Sequence, residues 1–284
     1  MLGAVGLGLW LLPAAAEELP AALPDTSRLV SIGDSITEIV FALGEQERLV
    51  ARDSTSTYPQ AANALPDIGY MRALSPEGVL SVNPTAIIAV EGSGPVETLD
   101  VLKKASVPFV FVPQSYDAES VTQKVRIVGA ALGKSKKADE LAKIVEREIA
   151  AAQNLTQNIS PKIRVLFILS AQGGKLLSSG AGTAANGIIG LAGGVNAIEG
   201  FDGYKQLSDE AIIAAQPDVI LMMDRGGDQS ATDKELLNHP AIANTPVGQT
   251  GKIIRLDGQY LLGFGPRTGQ AAHTLAVALY GDRI

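Results

Sequence analysis

The 284-residue chain contains no cysteine, which excludes thiol catalysis, thiolate metal sites and disulfide cross-links. That suits an exported protein that needs no oxidation step. Histidine is almost absent as well. His239 and His273 are the only two, too few and too far apart for a multi-histidine zinc or manganese cluster. Basic residues do not dominate: the formal net charge is −7 and the pI is near 5.0, which argues against a nucleic-acid partner. Beyond the first dozen residues no apolar run approaches the ~18 residues of a membrane span, so the mature chain reads as soluble.

The N-terminal apolar run, residues 2–12, leads into Ala14-Ala15-Ala16 and Glu17. It is too short to cross a bilayer and reads as the h-region of a signal peptide, residues 1–16, with an A-x-A cleavage site. The usual basic n-region is missing, which leaves room for a start upstream of Met1. About 270 residues follow, enough for two lobes of ordinary domain size.

A local pattern occurs twice. In residues 65–88, Ser75 suits an N-cap, Pro76 the first helical position and Glu77 the first turn. Asn83-Pro84 then stops the helix, and residues 85–90 read as a buried strand. Residues 207–223 repeat this: Ser208 answers Ser75, Glu210 answers Glu77, and Pro217 answers Pro84. Upstream, IVFALG at 39–44 answers IIGLAG at 188–193. From Gly44 to Glu77 is 33 residues, but from Gly193 to Glu210 only 17. The first copy therefore carries 16 additional residues, and Tyr70 and Arg72 lie within them. Inserted loops on a repeated scaffold are where binding chemistry gathers.

The remaining elements alternate strand and helix. Residues 28–32 and 49–51 read as strands, with Ser35 and Glu38 forming a capping box and Gly44 ending the helix between them. Residues 109–112 read as another strand, bounded by prolines. Val121, Val125, Val128 and Leu132 share a helical face, Gly133 interrupts, and apolar spacing resumes from Leu141 to Ala152. This stretch predicts a long helix running from lobe to lobe. Residues 164–169 open a second sheet, and residues 180–194 read as a glycine-rich turn into a helix. Alternation of this kind implies βα units around parallel sheets.

Two enzymatic readings fail on the residues. SIGDSIT, residues 31–37, resembles the nucleophile block of GDS-type esterases, with Ser35 as nucleophile. That chemistry needs a histidine oriented by an acid, normally as D-x-x-H, and the residues three before His239 and His273 are Leu236 and Gln270. Gly180-x-Gly182 lacks the lysine of a P-loop. The chain is expected not to be an enzyme.

RLVSIGDSITEIVFALG (28–44), DSTSTYP (53–59), IGYMRALSPEGVLSVNPTAII (68–88), LSDEAIIAAQPDVILMM (207–223) and LLGFGPRTGQAAHTLA (261–276) together resemble the periplasmic haem-binding proteins of bacterial haem-uptake ABC transporters. The general pattern is shared with cobalamin- and siderophore-binding relatives, and the Tyr-Met-Arg loop is the more specific haem signal. The resemblance implies an α/β fold of two Rossmann-like lobes with mostly parallel sheets, joined by one long helix. The expected boundaries are an N-terminal lobe at 27–120, connecting helices at 121–160 and a C-terminal lobe at 161–284.

By resemblance, haem is the transported ligand and Tyr70 its axial ligand, a phenolate being a hard anionic donor for ferric iron. A free phenol keeps its proton at neutral pH, so the ferric ion and a nearby guanidinium must favour the phenolate. Arg72 and Arg225 are the expected partners of the phenolate or the propionates; Arg225 follows a second-lobe strand, where ligands of parallel sheets gather. Tyr58, Tyr260 and Phe264 are candidates for the pocket wall or for plain core. Some family members present a second-lobe histidine after the strand corresponding to residues 165–169. Here that segment is Ser170-Ala171-Gln172-Gly173-Gly174, so a single protein ligand is expected, with the sixth position open or filled by water. Glu77 and Glu210 are expected to dock onto the inner-membrane permease, one per lobe. The implied setting is the periplasm, downstream of an outer-membrane haem receptor. A cobalamin or ferric-siderophore carrier is the alternative within the fold.

Overall fold

The computed structural model describes residues 19–224 and 231–284. The signal-peptide reading of residues 1–16 and the candidate Arg225 lie outside the described residues. The first lobe contains β1 (Leu29–Ile32), α1 (Asp34–Ala42), β2 (Leu49–Arg52), α2 (Pro76–Leu80), β3 (Ala86–Val90), α3 (Val96–Lys104) and β4 (Phe109–Val112). Its sheet is parallel throughout, in the order β2-β1-β3-β4. Both faces of β1 and β3 are buried, which is why these strands are apolar without alternation. Ile88 and Val90 meet α1 residues Ile36 and Ile39 on one side. Ile87 and Ala89 pack with Val79 and Leu102 on the other.

Two helices follow, α4 (Ala118–Ala131) and the 22-residue α5 (Ser135–Thr156). Gly133, at φ 69°, turns the chain between them, and Gly129 lets the pair cross closely, since a Cβ there would strike Ala138. Both helices belong to both lobes. Val125, Val128, Ala138 and Ala142 lie in the first-lobe core, whereas Val121, Val145, Ile149 and Ala152 lie in the second-lobe core. The long connecting helix is α5, ~33 Å at 1.5 Å per residue, and α4 braces it. Flexing the lobes widely would break α5 backbone hydrogen bonds.

The second lobe runs β5 (Arg164–Gln172), β6 (Lys175–Ser179), α6 (Ala184–Leu191), β7 (Val195–Asn196), β8 (Tyr204–Gln206), α7 (Asp209–Ala215), β9 (Val219–Asp224), α8 (Asp233–Leu237), α9 (Pro240–Ala243), α10 (Pro246–Thr250), β10 (Ile253–Asp257), α11 (Gly258–Leu262) and α12 (Thr268–Tyr280). Its sheet, β10-β9-β5-β6-β8, is parallel through β10, β9 and β5 and antiparallel at β6 and β8. β5 continues past Leu169 to a hairpin at Gly173-Gly174, both at positive φ, so Ser170 to Gln172, expected to follow that strand, are part of it.

The internal repeat is visible in backbone angles. Gly44 and Gly193 end α1 and α6 at φ 73° and 79°, and Asn83 and Gln216 precede their prolines at φ 49° and 42°. Ser75 and Ser208 cap α2 and α7 as expected, accepting from the Gly78 and Ala211 N–H groups. Two details differ from expectation. The α2 helix ends at Leu80, before Asn83-Pro84. The Ser35–Glu38 capping box does not form, because α1 starts two residues earlier than that box requires, at Asp34 with Gly33 as N-cap, and the Asp34 carboxylate takes the Ser35 N–H. Glu38 is drawn instead to Arg267 in the other lobe.

Candidate functional site: a cleft between the lobes

The loop carrying Tyr70 is built outward from a buried carboxylate. Asp53, wholly buried, accepts the Gly33 N–H at 2.9 Å, the Ser56 hydroxyl at 2.6 Å, and the Thr55 N–H and hydroxyl at 3.0 and 2.6 Å. This fixes the segment after β2 against the β1–α1 turn. A second carboxylate, Asp67, then accepts from Arg52 Nη1 (2.8 Å), the Ser54 hydroxyl (2.9 Å) and the Gly69 N–H (2.8 Å). Burial opposes the Asp67 charge, but the Gly69 N–H, Ser54 and Arg52 outweigh it and hold the carboxyl below its ordinary range. Gly69 itself sits at φ 99°, a turn that suits glycine, and the next side chain is Tyr70.

Tyr70 is 44% exposed, and Arg72 Nη1 donates to its hydroxyl at 3.3 Å. Both line an open cleft of about 930 Å³ between the lobes, at the upper end of the ~300–1,000 Å³ usual for ligand pockets. Val90, Leu169, Asp224 and Asp257 reach it from β3, β5, β9 and β10. These are the carboxyl ends of parallel strands in both sheets, the position where open α/β sheets bind ligands. Arg225, one residue beyond the Asp224 that lines the cleft, is outside the described residues.

Two aromatic residues in the cleft carried no sequence signal. Tyr116 stands in the crossover segment before α4, and Tyr204 on the edge strand β8 faces the same space from the second lobe. Burial pushes the Tyr204 phenol above its ordinary range, Tyr116 adds to this, and the Arg72 guanidinium partly offsets it. Of the three aromatics weighed as wall or core, none lines the cleft; Phe264 lies in the second-lobe core and Tyr260 packs against it. Tyr58 carries the Arg267 guanidinium 3.3 Å from its ring centroid, and the Tyr260 hydroxyl meets Thr274 at 3.1 Å. Phe264 is buried and packs edge-on against Tyr116 at 5.1 Å.

No histidine reaches the cleft: His239 binds the Gly174 carbonyl at 3.0 Å, and His273 is exposed on α12. Ser35, the residue an esterase would need, is buried and accepts from the Lys124 ammonium at 3.2 Å. Among the described residues no group of three or more His, Asp or Glu side chains is placed to hold a metal ion. Glu77 and Glu210 are both exposed, in the first turns of α2 and α7. The Glu210 carboxyl is held below its ordinary range by its own N–H and the Ser208 hydroxyl. The lobes also meet directly, through Thr57 on Gln259 (2.7 Å), Lys124 on the Phe264 carbonyl (3.2 Å) and Arg267 on Glu38 (3.0 Å).

Solved structures share this arrangement. The chain superposes with a TM-score of 0.86 on the periplasmic heme-binding protein RhuT from Roseiflexus sp. RS-1 in apo form, at 43% identity over 92% of this chain and all of that one. The periplasmic heme-binding protein BhuT, in complex with two hemes, gives 0.85 at 39% identity over 89% and 97%. Among curated relatives, an uncharacterized ABC transporter substrate-binding lipoprotein, YvrC of Bacillus subtilis, is 26% identical over 91% of this chain and 81% of its own length. A vitamin B12-binding protein of Yersinia pestis is 25% identical over 80% and 81%. Residues 29–260 match the family described as periplasmic binding protein, and the two-lobed chain with its cleft at the strand ends belongs to that family.

Proposed function

We propose that the protein is an exported carrier that holds ferric haem in the cleft and hands it to an inner-membrane ABC importer. The observation that carries this reading is the Tyr70 phenol, presented to an open cleft with the Arg72 guanidinium 3.3 Å away. A phenolate suits ferric iron, and the adjacent guanidinium can pair with a propionate. Tyr116, Tyr204, Met71 and Leu169 supply apolar surface for a flat macrocycle. The solved heme-binding proteins of the same fold support the choice of cargo. Tyr70 acts as the protein ligand to the iron. Arg225, next in sequence after Asp224, is assigned as a second cation for the propionates.

Absorption titration of the mature chain with ferric haem tests the reading. A saturable Soret shift is expected. If none occurs while cyanocobalamin binds, the corrinoid alternative takes its place, in keeping with the vitamin B12-binding relative.

Delivery rests on Glu77 and Glu210, which stand exposed at matched places on the two lobes. Each is assigned to a cation of the permease, one per lobe. Glu77→Ala and Glu210→Ala are each expected to weaken docking about tenfold, as loss of an interfacial charge pair does. Haem affinity should not change. Vesicles containing the importer would separate the two quantities; a double variant that transports at the wild-type rate removes the assignment.

A further inference from the structure

Beside the cleft lies a pair of charged groups that the binding of iron does not use. Lys124, on α4, is 1% exposed. Its ammonium donates to Gln114 Oε1 at 2.7 Å, Ser35 Oγ at 3.2 Å and the Phe264 carbonyl at 3.2 Å. These acceptors come from the crossover segment, the first lobe and the second lobe. All three are uncharged, so the three ammonium protons are engaged without a carboxylate. Asp34, the first residue of α1, lines the cleft beside this node. Its Oδ1 accepts the Ser35 N–H at 2.7 Å. Its Oδ2 packs so close to Gly263 that a Cβ there would lie 3.1 Å away. A carboxylate with so little donation, partly shut off from water and attracted by Lys124 only through space, is poorly stabilised in its charged form.

We infer that Asp34, on the cleft wall, and Lys124, buried behind it, form a proton-responsive pair, and that filling the cleft draws a proton onto Asp34. The inference rests on the cleft being the ligand site. The surroundings favour it. Asp34 faces Lys124 from α4, Asp53 from the segment after β2, and Glu38 one turn along α1, whose charge Arg267 meets from the second lobe. Glu91, Asp224 and Asp257 line the same cleft. Burial first, then the neighbouring carboxylates, pushes the Asp34 carboxyl up to about 7 against the pull of the Ser35 N–H and Lys124. Burial likewise holds Lys124 down at about 8 against the attraction of Asp34. A ligand that expels the remaining water from Asp34 raises its proton affinity further. The liganded group then binds more protons than the free one between the two pKa values, so affinity falls as pH rises through that window.

Titration calorimetry of the mature chain with ferric haem, in buffers of different ionisation enthalpy, counts the protons exchanged. The Tyr70 proton lost on ligation is common to wild type and Asp34→Asn and cancels in their difference. Near pH 7.5 the wild type is expected to take up about half a proton more, and between pH 7 and 8.5 its affinity to fall about fivefold more than that of Asp34→Asn. Equal proton counts and parallel pH profiles overturn the inference while leaving the haem reading intact. Carboxyl-carbon NMR of the ligand-free chain decides the pair independently of cargo. One aspartate should titrate near neutrality and vanish in Asp34→Asn; without such a signal the pair is discarded, even if haem binds.

Discussion

Tyr70→Phe is expected to lose haem affinity by at least about a hundredfold, equivalent to about 2.7 kcal/mol, and with it the charge-transfer band expected of tyrosinate-ligated ferric haem. The substitution keeps the ring and its apolar faces and removes only the oxygen, so it separates ligation from packing. Tyr70 is 44% exposed, which makes a loss of folding an implausible source of the effect; the far-UV spectrum should be unchanged. Arg72→Met is expected to cost less, about tenfold. It removes the cation 3.3 Å from the phenol but leaves the donor atom in place. Titration curves for wild type and Tyr70→Phe that overlay would discard Tyr70 as ligand while retaining haem as cargo. Loss in Tyr70→Ala together with retention in Tyr70→Phe would reduce Tyr70 to a stacking surface.

Much of the scaffold was legible because it is locally encoded. The Ser-x-Glu helix starts, the glycines at positive φ and the buried strands each follow from a few neighbouring residues, and their recurrence gave two lobes. The Tyr70 loop stood out as an insertion in one copy of that repeat, and the structure puts it at the mouth of the cleft. Long-range partners were not legible. Ser35 and Glu38 carry a capping-box spacing, yet Glu38 is claimed by Arg267, 229 positions along the chain, and the cap role passes to neither. Tyr116 and Tyr204 reach the cleft from a crossover segment and an antiparallel edge strand that have no counterpart in the first lobe. Neither repeat nor periodicity could point to them. The hairpin at Gly173-Gly174 went unread for a related reason: its strands run on directly from an apolar run that already looked complete.

The contact that displaced the capping box should also be among the most costly to break. Arg267 meets Glu38 through Nε at 3.1 Å, Nη2 at 3.0 Å and its backbone N–H at 3.1 Å. The Glu38 side chain is 7% exposed and that of Arg267 18%, so solvent screens the pair little. The guanidinium carbon also lies 3.3 Å from the Tyr58 ring centroid, which anchors the segment after β2 to the second lobe. Arg267→Met leaves Glu38 buried with its forked partner gone, a situation that costs about 3–5 kcal/mol. Arg267→Lys should recover only part of this, since an ammonium cannot match the two-pronged geometry or the contact with the Tyr58 ring. The double variant Glu38→Met/Arg267→Met should be more stable than Arg267→Met alone, because removing both charges removes the orphan. Urea unfolding of the four proteins measures each step. A loss below ~1 kcal/mol in Arg267→Met, the range of exposed ion pairs, would show that water reaches Glu38 and that the lobes are held by α4 and α5 without this clasp.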